Sequence, residues 1–354
     1  MSRVHDSVAV AAGLVLALIG WRLDHAAFLG AYLALWLFWI GILIGGLANV
    51  WLHSLTGGDW GEAVRAPLLS MGRSIWLAAL MFLPVLAGMR DIYPWAAAAL
   101  PWSDTLAAPA FKAAWLVPGG FAARSVACLM LWSVLGLLSS RPALQRSRPF
   151  AAAALILYGF SISVAGLDWV MSLMPLWYSS VFGLALGTAH MYGGMALAII
   201  ACTRARTPAD THLSGDLGNL LMMYVLCLAY LQFVQFLIIW SANLPHEIMW
   251  YVARSGGAGS ALAWLQALAL FALPLAALLF RSIKRQPPRL RRIAQLVLCG
   301  LLVHAGWLVL PSLAVVAWHG WAELLMVAPL LAAVARLQRS LPAAPLPLKE
   351  VQHG

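Results

Sequence analysis

A chain of 354 residues, 63% hydrophobic and 10% charged with a mean hydropathy of +0.87, does not fold as a water-soluble domain. Soluble domains carry roughly 25% charged residues, and too few polar side chains exist here to cover a surface in water. The net charge of +10 does not point to nucleic acid, because the Lys and Arg residues sit in short clusters between apolar runs, the ordinary pattern of juxtamembrane topology signals. In lipid every backbone amide needs an internal partner, which leaves helical bundles or closed barrels. The apolar runs are about 20 residues long and do not alternate like ten-residue strands, so helices are selected. The expected fold class is an all-α integral membrane protein.

Ten apolar stretches follow one another, at about 7–22, 28–52, 69–89, 116–138, 149–171, 178–201, 217–241, 260–281, 292–312 and 313–336. Arg3 precedes the first, as in a signal peptide, but no small-x-small site precedes Trp21-Arg22, so a retained helix is expected. Only Pro311-Ser312 separates the last two. A proline-bearing tail, 341–354, is expected to be disordered and leaves 1–340 as one polytopic domain. The cysteines Cys128, Cys202, Cys227 and Cys299 are scattered through apolar runs with no C-x-x-C, so no covalent haem c or iron–sulfur cluster is expected on this chain, nor a metal site.

Counting Lys and Arg along these spans puts 17 on one side and 5 on the other, out of 22. Cytoplasmic loops carry the excess, so both termini are expected on the cytoplasmic side. The opposite loops are rich in aromatic residues and proline, as in Tyr93-Pro94-Trp95 and Trp250-Tyr251, where Trp and Tyr anchor helix ends at the interface.

Ionisable groups at membrane depth are costly and are functional candidates by default. Asp168 lies just inside the outer end of the fifth stretch; it either handles protons or pairs with a nearby arginine or caps the break at Ser172–Pro175. His190 falls mid-way along the sixth stretch, where an imidazole can relay a proton, bond a ligand carbonyl or simply satisfy a hydroxyl on a facing helix. His304 is similarly placed in the ninth, and His319 and Glu323 share a face of the tenth. The pair of intramembrane histidines also raises a bis-histidine haem b, which nothing in the flanking sequence supports. Glu247 lies in the loop after the seventh stretch, and Gln232 and Gln235 in its outer half, where amides mostly hold helices together.

Three segments carry a family resemblance. One runs from Leu157-Tyr158-Gly159-Phe160 through Asp168-Trp169-Val170-Met171-Ser172-Leu173 and Pro175 to Trp177-Tyr178-Ser179-Ser180. Another is Gln235-Phe236-Leu237-Ile238-Ile239-Trp240-Ser241-Ala242-Asn243-Leu244-Pro245 with Glu247-Ile248 and Trp250-Tyr251. The last is His53-Ser54-Leu55-Thr56-Gly57-Gly58 with Trp60-Gly61. Together they resemble the NrfD-like membrane subunits, and most nearly the ActF-type subunit of alternative complex III, a bacterial quinol:electron-acceptor oxidoreductase. The resemblance covers about residues 28–312.

That resemblance implies two four-helix bundles flanked by a first and a last helix, in the bacterial cell membrane. It implies partners: a second NrfD-like subunit, other membrane subunits, and iron–sulfur and haem c subunits that carry the electrons. The membrane subunits bind quinol or conduct protons, so Asp168, His190 and Glu247 become proton-pathway candidates, and Gln235, His304 and Trp169 quinone-site candidates. The chain departs from the family pattern at Met174 and Leu176, where a carboxylate and a histidine usually flank the proline, and in the ninth helix, where His304 is the only ionisable group. Those departures favour a scaffold role in the same complex as the alternative, with a secondary transporter behind it on the strength of the Gly-rich sixth helix and Pro274. For topology the expected outcome is direct: reporter fusions after Arg254 and after Arg289 report opposite sides of the membrane. Signals from the same side refute the helix count.

Overall fold

The computed structural model describes Arg22 and residues 24–97, 109–204 and 211–313. These residues are helical, with no strand among them, and eight helices are long and apolar enough to cross a bilayer. They are α1 (His25–Thr56), α2 (Asp59–Ala87), α3 (Pro118–Ser139), α4 (Arg148–Trp169), α5 (Phe182–Cys202), α6 (Thr211–Ala242), α8 (Gly259–Leu278) and α9 (Pro287–Val309), with a short amphipathic helix α7 (Pro245–Ser255) between α6 and α8. The protein is thus a multi-pass membrane protein. The eight spans correspond to the second to ninth apolar stretches. The first and tenth stretches, with His319, Glu323 and the tail, lie outside the described residues.

α1 to α4 close one four-helix ring and α5, α6, α8 and α9 another, with α1 packed along α5 as the seam between them. Along their most apolar windows α1 is 83% and α5 89% buried, against 22% for α8 and 33% for α6. The outer helices turn Phe160, Tyr230, Trp240 and Trp264 outward, where lipid covers them.

The seam is built on glycine. An ideal Cβ on Gly45 would lie 1.9 Å from the carbonyl oxygen of His190, and one on Gly194 would lie 2.3 Å from the amide nitrogen of Gly46. Such contact of backbone on backbone is open only to the smallest side chains, and it is how helices associate without a hydrophobic driving force. Asn49 then crosses the seam: its Nδ2 donates to the carbonyls of Gly45 (2.8 Å) and Met191 (2.9 Å), while Tyr224 Oη on α6 donates to its Oδ1 at 2.6 Å.

α2 departs furthest from expectation, beginning ten residues before the apolar run at 69. Its first turns are amphipathic, and a turn at Gly57 and Gly58, with φ of 73° and 101°, lets Asp59 start the helix. α2 also breaks at Ser74 and again near Phe82. The breaks free carbonyls that lipid cannot solvate. Trp36 Nε1 donates to Ala78 O at 2.7 Å and Tyr32 Oη donates to Met81 O, so α1 satisfies what α2 releases.

The first ring is filled by tryptophan. Trp169 meets Trp36 (5.0 Å) and Trp132 (5.5 Å) edge to face, and three of the buried indoles bond serines: Trp51 on Ser139, Trp132 on Ser161, Trp169 on Ser125. Contacts also sort the loops. Arg65 and Ser54 reach Gln145, and Arg291 reaches Thr203 O, at one end; Tyr93 reaches Trp169 O, and Lys112 reaches Pro175 O, at the other. We call these the basic and the aromatic end. Substituting Gly194 by Val is expected to abolish monodisperse folded protein in detergent, read by size-exclusion chromatography. Gly159→Ala, on an open face with nothing within 4 Å of the added Cβ, is expected to be neutral or slightly stabilising.

Candidate functional site

Asp168 stands in the last turn of α4 at the aromatic end, and its side chain is 1% exposed. It is closed on every side by donors. Arg124 Nε meets Oδ2 at 2.7 Å, Arg124 Nη2 meets Oδ1 at 3.0 Å, and Trp115 Nε1 donates to Oδ1 at 2.7 Å. The guanidinium lies 4.1 Å from the Trp115 ring centroid and also bonds the Trp115 carbonyl. This is a forked, charge-assisted pair, the strongest kind of carboxylate contact. The hydroxyls around it are also engaged: Ser161 with Trp132, Tyr158 with His190, and Ser172 with the Asp168 carbonyl. The alternative of an arginine partner, left open by the sequence, is the arrangement present.

Glu247 occupies the first turn of α7 and is half-buried. An acid there complements the helix N-terminus. Gln235 is buried and accepts from Ser179 Oγ at 3.0 Å, with Tyr251 as a second partner, so it ties α6 to the 170–181 loop and α7. Trp169 belongs to the tryptophan core of the first ring. These three residues are not brought to one place.

His190 and His304 are. His190 on α5 and His304 on α9 line a cavity of about 30 Å³, walled otherwise by Leu37, Phe38, Gly41, Leu301 and other apolar groups. Tyr158 Oη lies 3.2 Å from His190 Nδ1, while His190 Nε2 has no partner among the described residues. His304 Nδ1 lies 2.6 Å from Gln266 Oε1 on α8, which makes that nitrogen the donor.

His304 and Gln266 also line a second space. A cleft of about 970 Å³ opens between α6, α8 and α9, walled by Tyr230, Phe233, Phe236, Trp264, Phe271 and Trp307. Gln232 and the phenols of Tyr230 and Tyr251 also belong to its lining. A large apolar cavity with a few convergent polar groups is the usual form of a small-molecule site.

The local fold of α8 positions this polar end. Pro274 cannot donate to the Leu270 carbonyl, and the helix widens into a π-turn over Leu268–Ala272. Tyr192 Oη on α5 donates to the freed Leu270 O at 3.4 Å. The widened turn presses on α9 at Gly300, where a Cβ would come within 2.7 Å of Leu270 Cδ2. Gln266 sits one turn above this contact, against His304.

At the aromatic end Arg254 is 2% exposed and has no carboxylate partner among the described residues. It donates to Trp307 O (3.0 Å), Leu308 O (2.8 Å), Trp250 O (2.9 Å) and Ser312 Oγ (2.7 Å), with Met174 Sδ at 3.6 Å. Its guanidinium lies 3.2 Å from the Trp250 ring centroid, and Trp177 stacks on Trp250 at 3.8 Å. Burial pushes its pKa down to about 9, which leaves it a cation at neutral pH.

Sequence reasoning picked out both histidines but not Gln266, a lone amide in an apolar run. It counted Arg124 and Arg254 only as topological charges. Neither a comparison with protein-family models nor one with curated proteins returns a match. For the ion pair, the expected outcome is that Arg124→Leu lowers thermal stability by about 3–5 kcal/mol, since it strands a buried carboxylate. The double variant Arg124→Leu with Asp168→Leu should recover much of that loss. A single variant as stable as the parent would mean that the pair contributes nothing.

Proposed function

We propose that this chain is a membrane subunit of a quinol:electron-acceptor oxidoreductase of the alternative complex III kind, and that it takes quinol into the cleft between α6, α8 and α9. The observation that carries the reading is the polar end of that cleft. His304 and Gln266 stand side by side at 2.6 Å in an otherwise aromatic wall within the membrane. An isoprenoid quinol needs that combination: lipid access and apolar walls for ring and tail, with a donor and an acceptor for the two hydroxyls. The chain carries no redox group in this reading. Electrons pass to iron–sulfur and haem c partners, and a second NrfD-like subunit completes the membrane part. The distribution of basic residues supports a bacterial cell membrane location with the basic end and both termini cytoplasmic.

A scaffold role in the same complex is the second reading, favoured by one observation. The carboxylate that the resemblance assigns to proton handling, Asp168, is held closed by Arg124 and Trp115. The two readings separate on the purified intact complex. A photoreactive quinone analogue is expected to label the α6, α8 and α9 segments around Phe233, Gln266 and His304. His304→Leu is expected to assemble and to raise KM for quinol about tenfold, the effect of about 1.4 kcal/mol of lost binding. Labelling confined to other subunits, with an unchanged KM, sinks quinol binding here and leaves the scaffold.

A further inference from the structure

A third space, apart from the cleft and the histidine cavity, lies at the aromatic end. It measures about 400 Å³ and separates the short helix Pro109–Trp115 from residues 167–178, which run from the last turn of α4 into the loop before α5. Its walls are apolar, with Phe111 and Trp115 on the one side and Leu167 and Met171 on the other. A span ends here, so the pocket stands at the depth where lipid headgroups meet acyl chains. Phe111 and Tyr178 line it and are 57% and 49% exposed, so it is open to its surroundings.

Lys112 supplies the charge of this pocket. A lysine near a helix end in a membrane ordinarily carries its ammonium out to water. Lys112 is half-buried instead: Nζ donates to Pro175 O at 3.0 Å and lies 5.3 Å from the Tyr178 ring centroid. One carbonyl occupies one of its three donors, and no carboxylate pairs with it among the described residues. Of the cations drawn inward at this end, Arg124 has a carboxylate and Arg254 has every donor engaged. Lys112 has neither.

We propose that this pocket holds one phospholipid of net negative charge from the leaflet at the aromatic end, with its phosphate on Lys112 and part of an acyl chain against the apolar walls. The proposal stands apart from the quinol reading. A basic pocket between membrane helices is the usual form of an anionic headgroup site. Free phosphate would leave the apolar walls bare, and a quinone carries no charge for the ammonium. A zwitterionic headgroup would bring a cation that finds no carboxylate in the lining. The aromatic faces are no substitute, since Trp115 already has Arg124 against it and Tyr178 has Lys112. The lipid would also brace the ion pair, because Trp115 lines the pocket and donates to Asp168.

The test uses the full chain, purified in detergent, stripped of lipid and offered phosphatidylglycerol or phosphatidylcholine with the same acyl chains. Native mass spectrometry is expected to retain one phosphatidylglycerol per chain more tightly than phosphatidylcholine, and that lipid is expected to raise Tm. Lys112→Gln, which keeps a donor but no charge, is expected to lower phosphatidylglycerol affinity about fivefold, the share of one lysine near an anionic surface. Its retention of phosphatidylcholine should not change. Arg90→Gln removes an exposed charge at the same end and is expected to alter neither, which separates a site from general attraction. Leu167→Trp fills the pocket with the charge intact and is expected to abolish the retained lipid. If that variant does not stay monodisperse, a map of the parent in phosphatidylglycerol nanodiscs decides, with chain-like density in the pocket and its phosphate at Lys112. Equal retention by the parent and Lys112→Gln overturns the proposal. So does displacement by inorganic phosphate, or a pocket that the map shows empty or filled by quinone or by protein.

Discussion

The contact between α1 and α5 is the constraint on which the other features hang. Two helices in lipid gain nothing from hiding apolar surface, because the tails around them are equally apolar. What holds them is close approach, and Gly45, Gly46 and Gly194 bring the two backbones together with no side chain between. At that distance a single amide, Asn49, can bond both helices and accept from Tyr224 on a third. Gly41 continues the same glycine row and meets the ring of His190. The row that joins the two rings therefore also shapes the cavity beside the histidine pair.

At two places among the described residues, a helix irregularity is answered by side chains from a neighbouring helix. The break in α2 near Phe82 is met by Trp36 and Tyr32, and the carbonyl lost to Pro274 in α8 is met by Tyr192. Water would do this for a soluble protein, but within a bilayer the bundle must. The consequence differs between the rings. In the first, the answers are Trp36 and Tyr32 on the freed carbonyls, beside a core of tryptophans bonded to serines. In the second, the π-turn packs against Gly300 and Gln266 lies beside His304, at the polar end of a cleft that opens toward the lipid side.

How far the sequence spoke follows from the same physics. Spans of apolar residues were legible because bilayer thickness fixes their length, and eight of them stand where the hydropathy put them. The early start of α2 was not, since Asp59, Glu62 and Arg65 make its first turns polar and the signal there is a glycine turn. Asp168 was legible as an unusual carboxylate, but its partner was hidden. Arg124 sits at a helix end where arginine is ordinary, and only the crossing of α3 and α4 shows the two forked together. His190 and His304 were each visible and were raised as a pair only as haem ligands; that they line one cavity was hidden, because it depends on how α1, α5 and α9 pack. Gln266 had no signal of its own beyond being polar in an apolar run.

Two arginines at the aromatic end, Arg124 half-buried and Arg254 buried, show how charge is accommodated by different means with different consequences. Arg124 is neutralised by a carboxylate, and the pair closes α3 on α4 with no link to the cleft. Arg254 has instead the last carbonyls of α9, the negative end of a helix dipole worth roughly half a charge, and the faces of Trp250 and Trp307. All its donor nitrogens are engaged, so it offers no free donor to an anion and acts as a clamp between α7 and α9. What it clamps matters. The carbonyl it holds belongs to Trp307, whose ring forms a wall of the cleft and lies parallel to His304 at 6.2 Å, tilted by 17°. A lysine in its place could not reach two carbonyls, a serine and two rings together, because one ammonium lacks the planar fork. The loop helix α7, remote in sequence from the histidines, thereby fixes the aromatic surface against which any ligand of His304 must lie.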